Sequence, residues 1–137
     1  MSLHTLQSHE APGTTSDLLV KSLLTDNATF LYDGAIFVSR IAQKTDAYQR
    51  NENLMLSRVA HAESKPKLEI LANDVRCTHG ATIGSVREDE LWYLKTRGID
   101  NSEGTRLISR GFLESINSRI SDESAQARVH DFIESGI

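Results

Sequence analysis

The sequence predicts a mainly β domain followed by a small helical subdomain. Residues 3–84 contain short runs of Val, Ile, Leu, Thr and Ser that are broken by Asn, Asp and Gly, a pattern typical of strands joined by turns. From Ser85 onwards the apolar residues instead follow helical spacing. We therefore expect a β core at 3–84 and a helical subdomain at 85–137. Asn/Asp turn signals recur roughly every 20–25 residues, a period typical of solenoids, at positions 26–27, 51–53 and 73–74.

The predicted strands are short. The Asp33–Gly34 pair separates two of them, 28–32 and 35–39, and indicates either a hairpin or a corner in a coiled sheet. No long helical pattern interrupts residues 17–84, so a parallel sheet would need coil crossovers. A β-sandwich made of hairpins would produce a similar pattern, and the two architectures remain alternatives at this point. The expected strands are 17–24, 28–32, 35–39, 54–57 and 67–71.

Three short helices are predicted after the β core. Residues 85–88 form a capping-box pattern, with Ser85 as the N-cap, and Gly98 is a natural end for the first helix. Residues 100–103 begin a second helix and residues 121–122 a third. Because three short helices bury little apolar surface alone, we expect them to pack on the sheet or on a partner. The second helix carries an apolar stripe of Ile108, Phe112, Ile116 and Ile120.

Composition argues against several protein classes. The chain has 15 basic and 19 acidic residues and a net charge of -4, whereas nucleic-acid-binding domains present a basic face. A single cysteine excludes an internal disulfide framework and fits a reducing compartment, so we expect a cytoplasmic protein. Apolar runs are far shorter than the roughly 20 residues of a membrane span. Residues 1–4 show no signal peptide and already lead into strand-like sequence, which suggests a fragment.

Cys77 and His79 are the candidate chemical site. In an extended strand they share one face with Val75, and their Cα atoms lie about 6.6 Å apart. Zinc bonds are only about 2.0–2.3 Å long, so a single ion could join both side chains only if the backbone bends. Otherwise each would meet ligands from an adjacent coil or another chain. Free cysteine also packs as a small hydrophobe, and the residues alone favour that structural explanation.

Other polar and aromatic groups favour structural roles. The acidic run at 88–90 opens a helix, where the macrodipole favours negative charge. Trp92 and Tyr93 lie beside two leucines and indicate a packing surface rather than a cofactor site. The remaining histidines are scattered and lack the spacing of a helical zinc pair.

One long stretch carries a family resemblance. Residues 65–99, KPKLEILANDVRCTHGATIGSVREDELWYLKTRGI, resemble the C-terminal core of the SufB/SufD family of iron–sulfur cluster assembly proteins. The upstream AQKTDA at 42–47 and the downstream GFLES at 111–115 follow the family's order, over roughly residues 9–120 in all. The stretch LEILANDVRCTHGAT resembles the SufD type, because the SufB type usually has Glu-His-Glu-Ala there. Gly104 stands where relatives commonly have alanine and should weaken the second helix by up to about 1 kcal/mol.

The resemblance implies a fold and an assembly. The implied fold is a right-handed parallel β-helix, a single-stranded solenoid, with a small C-terminal α-helical subdomain. It implies that the chain is the C-terminal part of a longer, non-catalytic scaffold subunit. Such a subunit pairs through its β-helix with a SufB-type paralogue, or with itself in isolation, and binds a SufC-type ATPase through its helices.

The same resemblance assigns candidate residues. His79 is implied as an iron or cluster ligand at the partner interface, while Cys77 is either a second ligand or a packing residue. The iron–sulfur cluster would be transient and shared with the partner, with no cofactor held tightly by the isolated chain. Leu107, Ile108 and Phe112 would contribute to ATPase docking. The alternatives are a β-helix carbohydrate-active protein, which the low aromatic content of 6% disfavours, and a bare oligomerisation module that self-associates without metal.

Overall fold

The computed structural model describes residues 1–137 and contains two three-stranded parallel sheets followed by three helices. The first sheet has the order β1-β3-β5 and the second β2-β4-β6, so the chain alternates between the sheets. No strand pairs with the next one in sequence, and a sandwich made of hairpins is therefore wrong. The elements are β1 (Ser2–His9), β2 (Thr15–Leu24), β3 (Thr29–Val38), β4 (Asp46–Met55), β5 (His61–Ile70), β6 (Arg76–Ser85), α1 (Glu88–Thr96), α2 (Asn101–Asn117) and α3 (Glu123–Gly136).

The structural repeat is longer than the turn signals predicted. Residues that pair across neighbouring strands lie 29 to 32 positions apart in the sequence, from 29 for Ser2 with Leu31 to 32 for Thr29 with His61. The error arose at residues 51–53, which lie inside β4 and not in a turn. Asn51 and Asn53 are 1% and 2% exposed, and the Asn53 amide donates to Asn51 Oδ1 at 2.8 Å. The two side-chain amides bond to each other, so neither is left buried without a hydrogen-bond partner. Residues that usually form turns can therefore occupy a strand here.

Asp33 and Gly34 also lie within a continuous strand, so the predicted break is wrong. Gly34 faces the space between the sheets, where a Cβ would lie 2.5 Å from the Tyr32 hydroxyl and 2.7 Å from Gln49 Nε2. The glycine is therefore required by the close approach of two interior side chains and not by a turn. Gly34 pairs with Pro66 of β5, and a proline is tolerated there because β5 is an edge strand.

The interior between the sheets is part apolar and part polar. Two buried clusters fill it, and β4 adds Gln49, Asn51 and Asn53 to the same space. Those three polar residues come from alternate positions of one strand, because successive side chains point to opposite faces. The apolar clusters are Ile36, Val38, Ala42, Ala47 and Ala72, and Leu24, Phe30, Tyr32 and Ala62.

Helix starts agree with the sequence for α2 and α3 but not for α1. The carboxylates of Asp100 and Asp122 accept the backbone N–H three residues later, at 2.9 and 2.7 Å. The N-cap of α1 is Arg87, and Ser85 is instead the last residue of β6. The Arg87 backbone N–H donates to Glu90 Oε2 at 3.4 Å. None of the helices has the length and apolar character that crossing a bilayer requires.

Gly104 lets α1 and α2 approach each other closely. It is buried, and a Cβ there would meet Leu91 Cδ2 at 3.2 Å and Leu94 Cδ1 at 3.3 Å. The expected cost in helix propensity therefore accompanies a packing advantage that the sequence did not reveal.

Helix α2 is anchored on the outer face of the second sheet by two cations. Lys21 Nζ lies 2.9 Å from Glu52 Oε2, donates to the Phe112 carbonyl at 3.0 Å and sits 4.2 Å from the centroid of the Phe112 ring. The Lys21 side chain is only 8% exposed. Arg119 pairs with Asp17 at 2.7 Å near the end of the same helix. These contacts hold α2 against β2 and β4.

Candidate functional site

The last strands of both sheets form one open end, by which we mean the inward faces and free edges of β5 and β6. Each pairs with a neighbour on one side only, so the other edge carries unpaired backbone N–H and C=O groups. Apolar side chains in register with interior residues are exposed here. Leu68, Ile70 and Ile83 are 41%, 36% and 46% exposed. The open end therefore offers both hydrogen-bonding edges and apolar surface.

Cys77 and His79 lie on β6, at this open end. Cys77 pairs in register with Ala47 and His79 with Gln49, and both partners are buried between the sheets. The two candidates therefore share the inward face of β6, as strand alternation predicted. Cys77 is half-buried and packs against the cluster that contains Ile36, whereas His79 is exposed.

The environment of Cys77 favours its neutral form. Burial raises the pKa of the Cys77 thiol above its usual value of 9.0, and the backbone of Ala47 offsets this only in part. Because its pKa is raised, Cys77 is a protonated thiol at neutral pH. The thiolate, and not the thiol, is the form that attacks electrophiles and binds metals. In this conformation Cys77 acts as a small apolar side chain.

The chain alone does not assemble a full metal site. No group of three or more His, Cys, Asp or Glu side chains comes together in the structure. His79 and Cys77 would supply at most two donors of the four that a tetrahedral site needs. Any further ligand at the open end would come from another molecule.

The three predicted docking residues occupy different environments on α2. Leu107 is 48% exposed, Ile108 is half-buried, and the Phe112 ring faces the Lys21 ammonium. They therefore do not form one continuous exposed patch. The predicted packing pair of α1, Trp92 and Tyr93, is exposed at 68% and 55%.

Sequence reasoning missed one residue beside the candidate site. Gln49 lies on the strand next to His79, in register with it and on the same face. The signal would have been the 30-residue spacing between them, which matches the observed repeat. That spacing could not be recognised while residues 51–53 were interpreted as a turn.

Known proteins resemble this chain over most of its length. The family description "SUF system FeS cluster assembly, SufBD core domain" matches residues 1–112. The iron–sulfur cluster assembly protein SufD of Escherichia coli K12 is 33% identical over 121 residues, covering 88% of this chain and 29% of that protein. A SufBD-family iron–sulfur cluster assembly protein of Synechocystis is 34% identical over 122 residues, covering 89% and 27%. The chloroplastic protein ABCI7 of Arabidopsis thaliana is 37% identical over 102 residues, covering 73% and 22%.

These matches bear directly on the sequence-based resemblance. The chain spans 22–29% of the length of the three relatives. The names of these three relatives do not favour a carbohydrate-active protein or a bare oligomerisation module. The resemblance drawn from residues 65–99 is confirmed, and the chain belongs to the SufBD family of iron–sulfur cluster assembly proteins.

Proposed function

We propose that this chain is the C-terminal part of a SufD-like scaffold subunit that works in the cytoplasm and catalyses no reaction itself. Its β core at 3–84 would be a right-handed parallel β-helix, followed by the helical subdomain at 85–137. The offset between paired residues, which varies only from 29 to 32 positions, supports this fold because it stacks one coil on the next. The SufD name of the Escherichia coli relative supports the subunit type.

The open end would be the surface that pairs with a SufB-type paralogue. Two neighbouring ten-residue edges with free backbone groups can accept strands from another chain. Leu68, Ile70 and Ile83 would lose their exposed apolar surface in the same step. In the isolated chain a second copy could occupy this surface instead.

The exposed imidazole of His79 on an edge strand is the observation that carries the proposal. His79 would ligate iron or a nascent cluster as cargo, and the partner would supply the missing ligands. Binding requires a neutral imidazole, so ligation would weaken at acid pH. Cys77 would join only after losing its proton, which its burial opposes.

The helical subdomain would dock a SufC-type ATPase. Leu107 and Ile108 would contribute from α2, and the exposed aromatic residues Trp92 and Tyr93 would contribute from α1. Phe112 would contribute indirectly, because its contact with Lys21 holds α2 on the sheet. Through α2 and its contact with Lys21, a movement of the docked ATPase would be transmitted to the second sheet, which carries His79.

Size-exclusion chromatography with the SufC-type ATPase from the same source tests the docking role. We expect a complex that is lost when Leu107 and Ile108 are replaced by Asp. Cluster assembly by the complex with the SufB-type partner tests the site: His79→Ala should abolish it without changing the thermal midpoint. His4→Ala is the matched control, because His4 lies on β1, the edge strand at the opposite end of the first sheet. Full assembly by the His79→Ala variant would exclude the ligand role.

A further inference from the structure

The side-chain amide of Gln49 has no hydrogen-bond partner. The residue is 1% exposed, and both Nε2 and Oε1 are buried and unpaired. Buried polar side chains nearly always have a partner, so an orphaned amide indicates an interaction that this conformation does not make. A partner must be able to reach the space between the two sheets.

His79 is the polar side chain on the neighbouring strand in register with Gln49. The two residues are aligned in the β4·β6 pair and point to the same face. Adjacent strands lie about 4.8 Å apart, and side-chain amides in register on stacked strands bond to each other across this distance. Because the His79 ring is exposed, it is free to rotate towards the amide.

The surroundings of Gln49 indicate which of its atoms faces His79. Nε2 lies 2.7 Å from the position that a Cβ on Gly34 would take, beside the Tyr32 hydroxyl. That hydroxyl already bonds Thr5 Oγ1 at 2.8 Å. The amide nitrogen is thus directed towards the first sheet, which leaves Oε1 as the acceptor for an imidazole N–H.

We propose that Gln49 is a positioning residue for His79. Oε1 accepts one imidazole N–H, which selects one tautomer and leaves the other ring nitrogen with its lone pair directed out of the open end. Histidine ligands are commonly oriented in this way by a second hydrogen bond. The nature of the bound metal rests on the proposed function above, but the hydrogen bond does not.

The test is the tautomer of His79, measured from imidazole ¹⁵N chemical shifts at one neutral pH. The His79→Ala spectrum assigns the signal. We expect one dominant tautomer in the wild-type chain and a fall of about fivefold in the tautomer ratio in Gln49→Met, the size of effect that loss of one hydrogen bond produces. Gln49→Glu keeps an acceptor and should restore the wild-type tautomer.

Gln7→Met is the matched control. Gln7 is a half-buried glutamine on the inward face of β1 that also has an unpartnered Oε1, but it pairs with Ile36 of β3 and not with β6. It should leave the His79 tautomer ratio unchanged, with circular dichroism verifying the fold of every variant. A Gln49→Met ratio equal to that of the wild type overturns the inference. If the ratio changes while His79→Ala still assembles clusters, the proposed function fails and the positioning role stands.

Discussion

Replacing Lys21 by Met should loosen helix α2 from the sheet and destabilise the chain. The ammonium contacts Glu52 at 2.9 Å, the Phe112 carbonyl at 3.0 Å and Ser115 Oγ at 2.6 Å, and it lies over the Phe112 ring. Methionine keeps much of the apolar stem, which packs against the helix, but removes the charge and all three donors. The variant therefore isolates the polar part of the anchor.

The size of the effect follows from burial. Hydrogen bonds to charged groups contribute about 1.5–3 kcal/mol each, and breaking a fully buried ion pair costs about 3–5 kcal/mol. The Lys21 side chain is 8% exposed, but that of Glu52 is 29% exposed and regains water when its partner is removed. We therefore expect Lys21→Met to lower the free energy of unfolding by about 2–3 kcal/mol.

Urea unfolding monitored by Trp92 fluorescence and by circular dichroism measures this loss. Trp92 is the only tryptophan and lies on α1, so its signal reports the helical subdomain. Lys44→Met is the control: Lys44 pairs with Asp74 at 2.8 Å, but the two side chains are 76% and 65% exposed. A pair as exposed as this contributes little to stability, because water screens the two charges. Equal losses in the two variants would refute the argument that burial makes Lys21 an anchor.

Three further outcomes are expected. Gly34→Ala should cost about 1–3 kcal/mol, because its methyl group would lie 2.5 Å from the Tyr32 hydroxyl, and an unchanged thermal midpoint would contradict this. Gly111→Ala should stabilise the chain by up to about 1 kcal/mol, because a Cβ there would meet open space. Gly104→Ala should gain less, because a Cβ there would lie 3.2 and 3.3 Å from two leucines. Equal gains in urea titrations would rule out tight packing at Gly104. Burial raises the pKa of the Cys77 thiol above 9.0, so iodoacetamide should alkylate the native chain more slowly than the denatured chain at pH 9 and below. Because the denatured chain loses this proton at lower pH, native stability should fall as the pH rises past 9.0, and equal alkylation rates for both forms would exclude a raised pKa.

Local signals in the sequence were sufficient for several elements. Asp100 and Asp122 cap helices because a carboxylate accepts the free N–H groups of a first turn, an interaction within three residues. The shared face of Cys77 and His79 follows from strand alternation alone. Such features depend on nearby residues, and the sequence therefore shows them directly.

The errors came from residues whose environment is set by distant parts of the chain. Asn51 and Asn53 have the composition of a turn, but pairing of their amides in the interior stabilises a strand. Gly34 has the composition of a break, but the space beside it is filled by Tyr32 and Gln49. The relation between Gln49 and His79 likewise depends on a register across 30 residues, which no local pattern reveals.

The alternation of strands between two sheets has a consequence for the order in which the chain opens. Only β3 and β4 have neighbours on both sides, so fewer backbone hydrogen bonds hold the edge strands of each sheet than hold its central strand. Amide hydrogen exchange should be slowest in these two strands and fast in β6. The strand that carries His79 is thus among the first to fray in the isolated chain. A partner that adds a strand there would slow exchange in β6 far more than in β1, so recognition and local order at this edge are thermodynamically linked.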